Sequence, residues 1–427
     1  MYIYKDYTEY YGRVMQFGKN KKVPIHRWYP FVEGYSRDFI KSIIDEQEIK
    51  PESCLEPFSG SGTTALELQM MGIKCYSFEV NPFMYTLSKA KLLSSDYRIG
   101  TIKKHLERML DFVSGLNDTD IDLESVFVTL VENQSTEKWN LNKEVYLAVE
   151  KLILAVRSLN SIKYSHLYMI VIANALLEYG NLYRNGKCLS YKKNWEKKKY
   201  QQEDVVSYFI DFINNILLID IAGNDNEKRC CNERYLFLGD SRDLISRKIE
   251  NDSIELVITS PPYLNSRDYT DSYMLELRAL KYLNNYQEIK ELRKKTLRSH
   301  VQLKLENDFR IENLILNHTI SKLNKACVKK ESWNEEIVLM VKAYFDDMHG
   351  IFQTMHRKLK KGKRVYFNVS NSAYYGVLID TLEICSSIAE EIGFNVIEIR
   401  KARYLSPSPQ QREEIDDLLE GVIVLEK

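Results

Sequence analysis

The sequence predicts an α/β protein whose sheet is interrupted by two long helical insertions. Short β-branched and aromatic runs alternate with runs of helical period along the chain, which implies a sheet with helices packed on it. One segment, "SCLEPFSGSGTTALELQMMGIKCYSFEVN" (Ser53 to Asn81), reads as strand, glycine loop, helix and strand. Two stretches, about 96–230 and about 273–360, are mostly helical and separate the strand-bearing parts.

Taken in order, the N-terminal "MYIYKDYTEYYGRV" carries early charges and no apolar core, so it does not read as a signal peptide. The first 50 residues are Tyr-rich and end in "SRDFIKSIIDEQEI". There Ser36 is a candidate cap, and Phe39, Ile40, Ile43 and Ile44 fall at helical spacing. After the glycine loop, "VYLAVEKLILAV" and "YMIVIANALLEY" have the spacing of core helices rather than strands. Strands return at "YLFLGD" and "IELVITS", and again at the end in "RVYFNVSN", "FNVIEIRKARYL" and "EGVIVLEK". Residues 1–95, 231–272 and 361–427 are thus expected to form one domain, with 96–230 and 273–360 inserted into it. There is no internal repeat.

Composition bounds the function classes. With 427 residues and 44% apolar content the chain has material for a substantial core. No window approaches the roughly 18 uninterrupted apolar residues of a membrane span. Seven cysteines, odd in number and scattered, give no disulfide framework. Cys230 and Cys231 lack a CxxC partner pair, so neither zinc nor another metal is expected, and the chain reads as a cytoplasmic protein. Basic and acidic residues balance at 60 each, which leaves a nucleic-acid partner open. The basic residues do cluster, in "YRNGKCLSYKKNWEKKKY" (Tyr183 to Tyr200) and "KELRKKTLRSH" (Lys290 to His300), whereas "EEIDDLLE" near the C-terminus is acidic. Either basic run is equally consistent with a solvated helix face.

In the glycine loop, Gly60-Ser61-Gly62 follows a short strand, and Thr63-Thr64 opens a helix. Glycines permit a tight turn and a close ligand approach, and the helix start offers unpaired N–H groups. Glu79 ends the next strand about 20 residues on, where a ribose diol would be held. The loop is GSGTTA, not GxGxxG, and no lysine follows as in a Walker loop. Both phosphate-binding readings weaken. An adenosine-type ligand without phosphates remains, alongside a purely structural turn.

The segment "VITSPPYLNSRDYTD" (Val257 to Asp271) raises a different chemistry. Thr259 and Ser260 emerge at the carboxyl end of a buried-type strand, the edge at which open α/β sheets bind ligands. Pro261 and Pro262 donate no N–H and hold the chain as an extended corner, leaving a carbonyl free to accept hydrogen bonds. Tyr263 adds a flat apolar surface. Two acceptors beside an aromatic plate suit an exocyclic amino group on a planar base.

With these residues in view, the chain resembles the amino-group DNA methyltransferases. "EPFSGSGTT" resembles their cofactor motif, with Glu56 where Asp is usual, and "TSPPY" resembles their catalytic motif. "YLFLGDSRDL" resembles the motif whose acid, here Asp240, contacts the cofactor adenine. "HRWYPFVEGYSRDFI" (His26 to Ile40) resembles the motif that closes over the methionine end. "GNLYRNGKCLSYKKNW" and "NSRDYTDSYMLE" are similar to stretches of bacterial modification methylases. The resemblance implies a class I, Rossmann-like, mostly parallel seven-stranded sheet with a terminal antiparallel hairpin. It also implies S-adenosyl-L-methionine held by His26, Trp28, Glu56, Pro57, Phe58, Ser59, Gly60, Gly62, Thr63, Thr64, Glu79, Val80, Asn81, Asp240 and Ser241.

The same resemblance implies a target base turned out of double-stranded DNA into a pocket. Ser260 and the Pro261 carbonyl would accept from its amino group, Pro262 would hold the corner, and Tyr263 would stack on the base. Serine at the head of the motif is usual for cytosine N4, while Asp or Asn is usual for adenine N6. The C5-cytosine class needs a Pro-Cys dipeptide, which this sequence lacks. Lys192, Lys193, Lys197, Lys198, Lys199, Arg293, Lys294 and Lys295 are the expected phosphate contacts. A companion restriction endonuclease is a possible partner. An RNA base methyltransferase and an inactive DNA-binding relative are the competing readings. Target sequence and oligomeric state are not encoded in any motif found.

Overall fold

The structure, a computed structural model, describes residues 2–185, 188–223, 232–264, 268–302, 305, 309–329 and 336–427. Cys230, Cys231 and the "NSR" of the second methylase-like stretch lie outside the described residues. In chain order the strands are β1 (Tyr4–Asp6), β2 (Ser53–Glu56), β3 (Lys74–Glu79), β4 (Leu182–Asn185), β5 (Cys188–Tyr191) and β6 (Leu236–Leu238). They continue as β7 (Ile254–Thr259), β8 (Leu359–Ser370), β9 (Ser372–Tyr374), β10 (Val377–Ile379), β11 (Asn395–Leu405) and β12 (Leu418–Glu426). Eight of them make one sheet in the order β1-β11-β12-β8-β7-β2-β3-β6. The pairs β4–β5 and β9–β10 are separate antiparallel hairpins.

Strand β12 is antiparallel to both its neighbours, and all other pairings in the large sheet are parallel. The α/β class and the terminal β11–β12 hairpin are therefore as expected. Among the described residues the sheet has eight strands where seven were expected. The extra strand is β1, which pairs Tyr4 with Ile399 and Asp6 with Lys401 along the outer edge of β11. A three-residue strand bearing Lys5 and Asp6 closes an otherwise open edge without offering a long template for further pairing.

Strands β2 and β7 are almost wholly buried and alternate between two cores. Cys54, Leu256 and Ile258 face one core, with Phe39, Leu66 and Leu87; Leu55 and Val257 face the other, with Tyr344, Phe352 and Ile388. The two-residue period of the pleat divides the side chains this way, and helices cover both faces. The chain runs outward from β2 to β3 and β6, then returns to β7 and β8 on the other side of β2. The order reverses between β2 and β7, so the loops after these strands open from the point where such sheets bind ligands.

Helices Lys143–Ser158 and Ile162–Tyr179 are buried core helices, as their spacing predicts. The β4–β5 hairpin in the same insertion is not legible as strand in the sequence. Helix Glu336–Lys358 lies against the sheet, with Phe352 and Phe367 rings 4.8 Å apart, and serves as the β7–β8 crossover that parallel strands require. The helical run Gln202–Ala222 is long and apolar enough to cross a membrane by length and composition. Asp204, Asp211, Asn214 and Asn215 interrupt it, so it presents no unbroken apolar window. It contains a π-helical turn at Ile213–Leu217, buries one face through Val205, Phe209, Ile213 and Leu217, and its Asp220 accepts from Ile25 N and Trp28 Nε1 in the interior.

Ser36 occupies the N-cap position of helix Arg37–Asp45, but its hydroxyl donates to the Val14 carbonyl at 2.8 Å. The Arg37 N–H is met by Asn20 Oδ1 instead. Phe39, Ile40 and Ile43 are buried as expected, with Ile44 half-buried.

Candidate active site

A cavity of about 600 Å³ opens at the carboxyl ends of β2, β3, β6 and β7. Its lining brings together Pro57, Phe58 and Gly60 from the glycine loop, Glu79, Val80 and Asn81 from the end of β3, and Asp240 and Ser241 after β6. Ser260, Pro261, Pro262 and Tyr263 line the same space. A recess of about 40 Å³ beside it is bordered by Ser59, Gly60, Thr63, Thr64 and Ser260. Segments far apart in the chain thus meet on one rim.

The glycine loop is held from below. Gly60 and Gly62 sit at φ +52° and +77°, in the left-handed region that glycine adopts without strain. At Gly62 a Cβ would come within 2.9 Å of Ser88 Cβ, and at Gly60 within 3.0 Å of the Phe31 ring. Ser88 Oγ donates to the Gly60 carbonyl at 3.0 Å, and the buried Lys91 ammonium donates to the Ser61 carbonyl at 2.8 Å. Burial pulls the Lys91 pKa down to about 7.

Glu79 is the acid of the loop. Its carboxylate accepts from Gly60 N at 2.7 Å and Asn81 N at 2.8 Å. Burial pushes its pKa up to about 7 against these N–H donors. Asn81 in turn caps helix Pro82–Leu92 by accepting from Phe83 N and Met84 N. This arrangement disfavours a phosphate: the Gly60 N–H is already taken, and its acceptor is an acid. Hydroxyl and amino donors are what Glu79 can take.

Glu56 does not line the cavity; it sits behind it. Oε2 accepts from Tyr35 OH at 2.9 Å, and Oε1 accepts from Thr259 Oγ1 at 2.6 Å and from Phe58 N at 3.2 Å. Burial raises its pKa to about 7 despite these donors. Tyr35 OH also meets Thr64 Oγ1 at 2.7 Å. One carboxyl group therefore ties the N-terminal segment, the glycine loop and β7 together.

Asp240 caps helix Ser241–Lys248 by accepting from Arg242 N at 2.9 Å, and pairs with the Arg242 guanidinium at 2.7 Å. Arg242 also reaches Asp347 at 2.9 Å. Burial opposes the charge on Arg242, but the Asp347 and Asp240 carboxylates outweigh it and raise its pKa above the ordinary value. The charged guanidinium in turn holds Asp240 at the cavity wall.

The resemblance places His26 and Trp28 at the cofactor, but both point into the interior. His26 Nε2 meets Glu67 Oε1 at 2.8 Å, and Trp28 Nε1 donates to Asp220 Oδ2 at 3.0 Å. Both side chains are buried, and they fasten their stretch to the body of the protein. The residues of that stretch that reach the cavity are Phe31, Val32, Glu33, Gly34 and Tyr35.

Of the basic residues, Lys193, Lys197, Lys198 and Lys199 are exposed. Lys192 donates to the Leu177 and Glu178 carbonyls at 2.7 and 2.6 Å, which gives it an internal task. Arg293 pairs with Asp268 at 2.8 Å and Asp271 at 2.7 Å. Lys294 is exposed and pairs with Glu291, while Lys295 borders the cavity mouth.

Three residues that sequence reasoning missed surround Tyr263. Its hydroxyl donates to Glu420 Oε1 at 2.6 Å and accepts from Asn368 Nδ2 at 2.7 Å. Arg403 forms an ion pair with the other oxygen of Glu420. Asn368 interrupts the apolar run "RVYFNVSN" and Glu420 heads "EGVIVLEK"; a polar side chain within or at the head of such a run is the signal that could have found them.

Residues 254–427 match the family described as DNA methylase, of the N6/N4 type. That match and the chain's relatives support an amino-methyltransferase. It is 27% identical over 433 residues to the type II methyltransferase M.BsoBI of Geobacillus stearothermophilus, covering 92% of this chain and 83% of that one. It is 26% identical over 425 residues to type II methyltransferase M.AvaI of Nostoc sp. and of Anabaena variabilis, with 91% and 82% covered. The cavity suits the methyl donor of this family. Phe31, Phe58 and Phe78 offer apolar and aromatic surface, Glu79 and Asp240 offer carboxyl oxygens to hydroxyl or amino donors, and the loop disfavours phosphate.

Proposed function

We propose that this protein is an amino-methyltransferase, a site-specific DNA methyltransferase that modifies the N4 nitrogen of cytosine turned out of a duplex, as the modification enzyme of a restriction–modification system. The observation that supports this most is the shared cavity: the loop bearing Gly60 and Glu79 and the corner Ser260-Pro261-Pro262-Tyr263 border one space of about 600 Å³. The relatives M.BsoBI and M.AvaI, both type II methyltransferases, support the biological setting. Ser260 at the head of the motif favours cytosine over adenine, by resemblance.

In this reading S-adenosyl-L-methionine supplies an electrophilic methyl on a sulfonium. Glu79 holds the ribose hydroxyls, Asp240 the adenine, and the recess at Ser59, Thr63 and Thr64 the methionine end. Ser260 Oγ and the Pro261 carbonyl accept hydrogen bonds from the amino group of the base. Those bonds draw the nitrogen lone pair out of conjugation with the ring and aim it at the methyl. Tyr263 stacks on the base, a contact worth about 1–3 kcal/mol. Proximity and alignment then supply much of the acceleration. No covalent enzyme intermediate is required. The exposed Lys193 and Lys197–Lys199, with Lys294 and Lys295, are the proposed phosphate contacts.

Expression in a methylation-free host, followed by genome-wide mapping of modified bases, tests this directly. N4-methylcytosine at a fixed sequence is the expected result. N6-methyladenine would move the base assignment, and unmodified DNA together with methylated tRNA would replace the substrate class.

A further inference from the structure

Tyr263 is fastened at more points than a stacking plate needs. Its backbone N–H donates to Tyr269 Oη at 2.8 Å, and two prolines precede it. At the far end of the ring the hydroxyl donates to Glu420 at 2.6 Å and accepts from Asn368 Nδ2 at 2.7 Å and, more weakly, from Ser260 Oγ at 3.4 Å. Asn368 lies on β8 and Glu420 on β12, neighbouring strands at the antiparallel end of the sheet. Asn368 Nδ2 also reaches Glu420 Oε1 at 3.3 Å and Ser260 Oγ at 3.4 Å. Glu420 is only 2% exposed, and Arg403 on β11 offsets its charge.

A phenol whose hydroxyl is held by two short bonds to fixed partners cannot swing about its ring bonds. We propose that Glu420 and Asn368 are positioning residues that clamp Tyr263 by its hydroxyl, fixing the plane on which the target base stacks, while Arg403 holds Glu420 in place through its ion pair. The clamp rests on the base-stacking role proposed above for Tyr263. A preset plane removes the need to order the ring when the base arrives, so its effect falls on the methyl-transfer step rather than on cofactor binding.

The test is a double-mutant cycle with Y263F and E420A, read by single-turnover methyl transfer to duplex DNA. A 2-aminopurine at the target position gives a second reading, because stacking on Tyr263 quenches its fluorescence. Each single variant should transfer methyl roughly tenfold more slowly, the size expected for losing one hydrogen bond to a charged partner. Cofactor affinity should be unchanged, and the double variant should be no slower than E420A. The quenched 2-aminopurine signal should brighten in all three. E420M, which fills the space without an oxygen acceptor, replaces E420A if the latter does not fold. Multiplying losses, or Y263F at the wild-type rate with full quenching, would overturn the clamp. Failure of the underlying reading looks different: S260A would then methylate DNA as fast as the wild type.

Discussion

Thr259 Oγ1 donates to Glu56 Oε1 at 2.6 Å, joining the last residue of β7 to the last residue of β2 at the point where the strand order reverses. The bond fixes the catalytic corner relative to the glycine loop. Replacing Thr259 by Val keeps the shape and leaves a buried carboxyl oxygen one donor short. The expected cost is about 1–3 kcal/mol, measured by chemical denaturation. A T259V protein as stable as the wild type would show that the bond is not needed to join the two strands.

Glu56 also sets a pH dependence. Its pKa stands at about 7 in the folded chain against an ordinary 4.5. The folded state therefore holds this proton more tightly than the unfolded state. The resulting stabilisation is complete below 4.5 and lost as pH rises through about 7. The stability of E56Q relative to wild type should accordingly climb across that window and level off above it. A flat difference in melting temperature would contradict the assignment.

Glu79 is expected to govern cofactor affinity. E79A should weaken S-adenosyl-L-methionine binding roughly ten- to a hundredfold by calorimetry, the range for charge-assisted hydrogen bonds. Wild-type affinity should rise as pH increases through about 7, because only the carboxylate accepts from both ribose hydroxyls. E79Q should lose that rise.

Ser260 carries the chemistry in the proposed reading. S260A should slow methyl transfer by about a hundredfold, comparable to the loss of one preorganised hydrogen bond at a reacting centre. Cofactor binding should remain. Transfer at near the wild-type rate would remove Ser260 from the mechanism.

Reversing the charge of Lys197, Lys198 and Lys199 should weaken DNA binding on every sequence. The salt slope should fall by about one for each lysine that meets a phosphate. An unchanged slope would return the cluster to a solvated face.

What the sequence revealed follows the length scale of its physics. The buried alternation of β2 and β7 and the helical period of Lys143–Ser158 are local, and they read directly. The glycine loop and the Ser-Pro-Pro-Tyr corner are also local, since their function lies in backbone geometry that few residue types permit. Tyr35, Asn368 and Glu420 gain their importance from residues far away in the chain, which no local pattern encodes. His26 and Trp28 show the converse: prominent side chains in a ligand-proximal stretch that the fold uses for anchoring. Lys192 is indistinguishable from its basic neighbours in sequence, and only the two carbonyls that hold its ammonium set it apart.

The pairing of Cys54 with Leu256 brings together strands separated by the whole first insertion. The Tyr263 hydroxyl waits on a carboxylate from β12, the last strand in the chain. Such remote pairings form late, after the entropy of closing long loops has been met. The binding chamber is therefore a long-range product of the fold: without β12 seated between β8 and β11, Tyr263 lacks the acceptor that holds its hydroxyl.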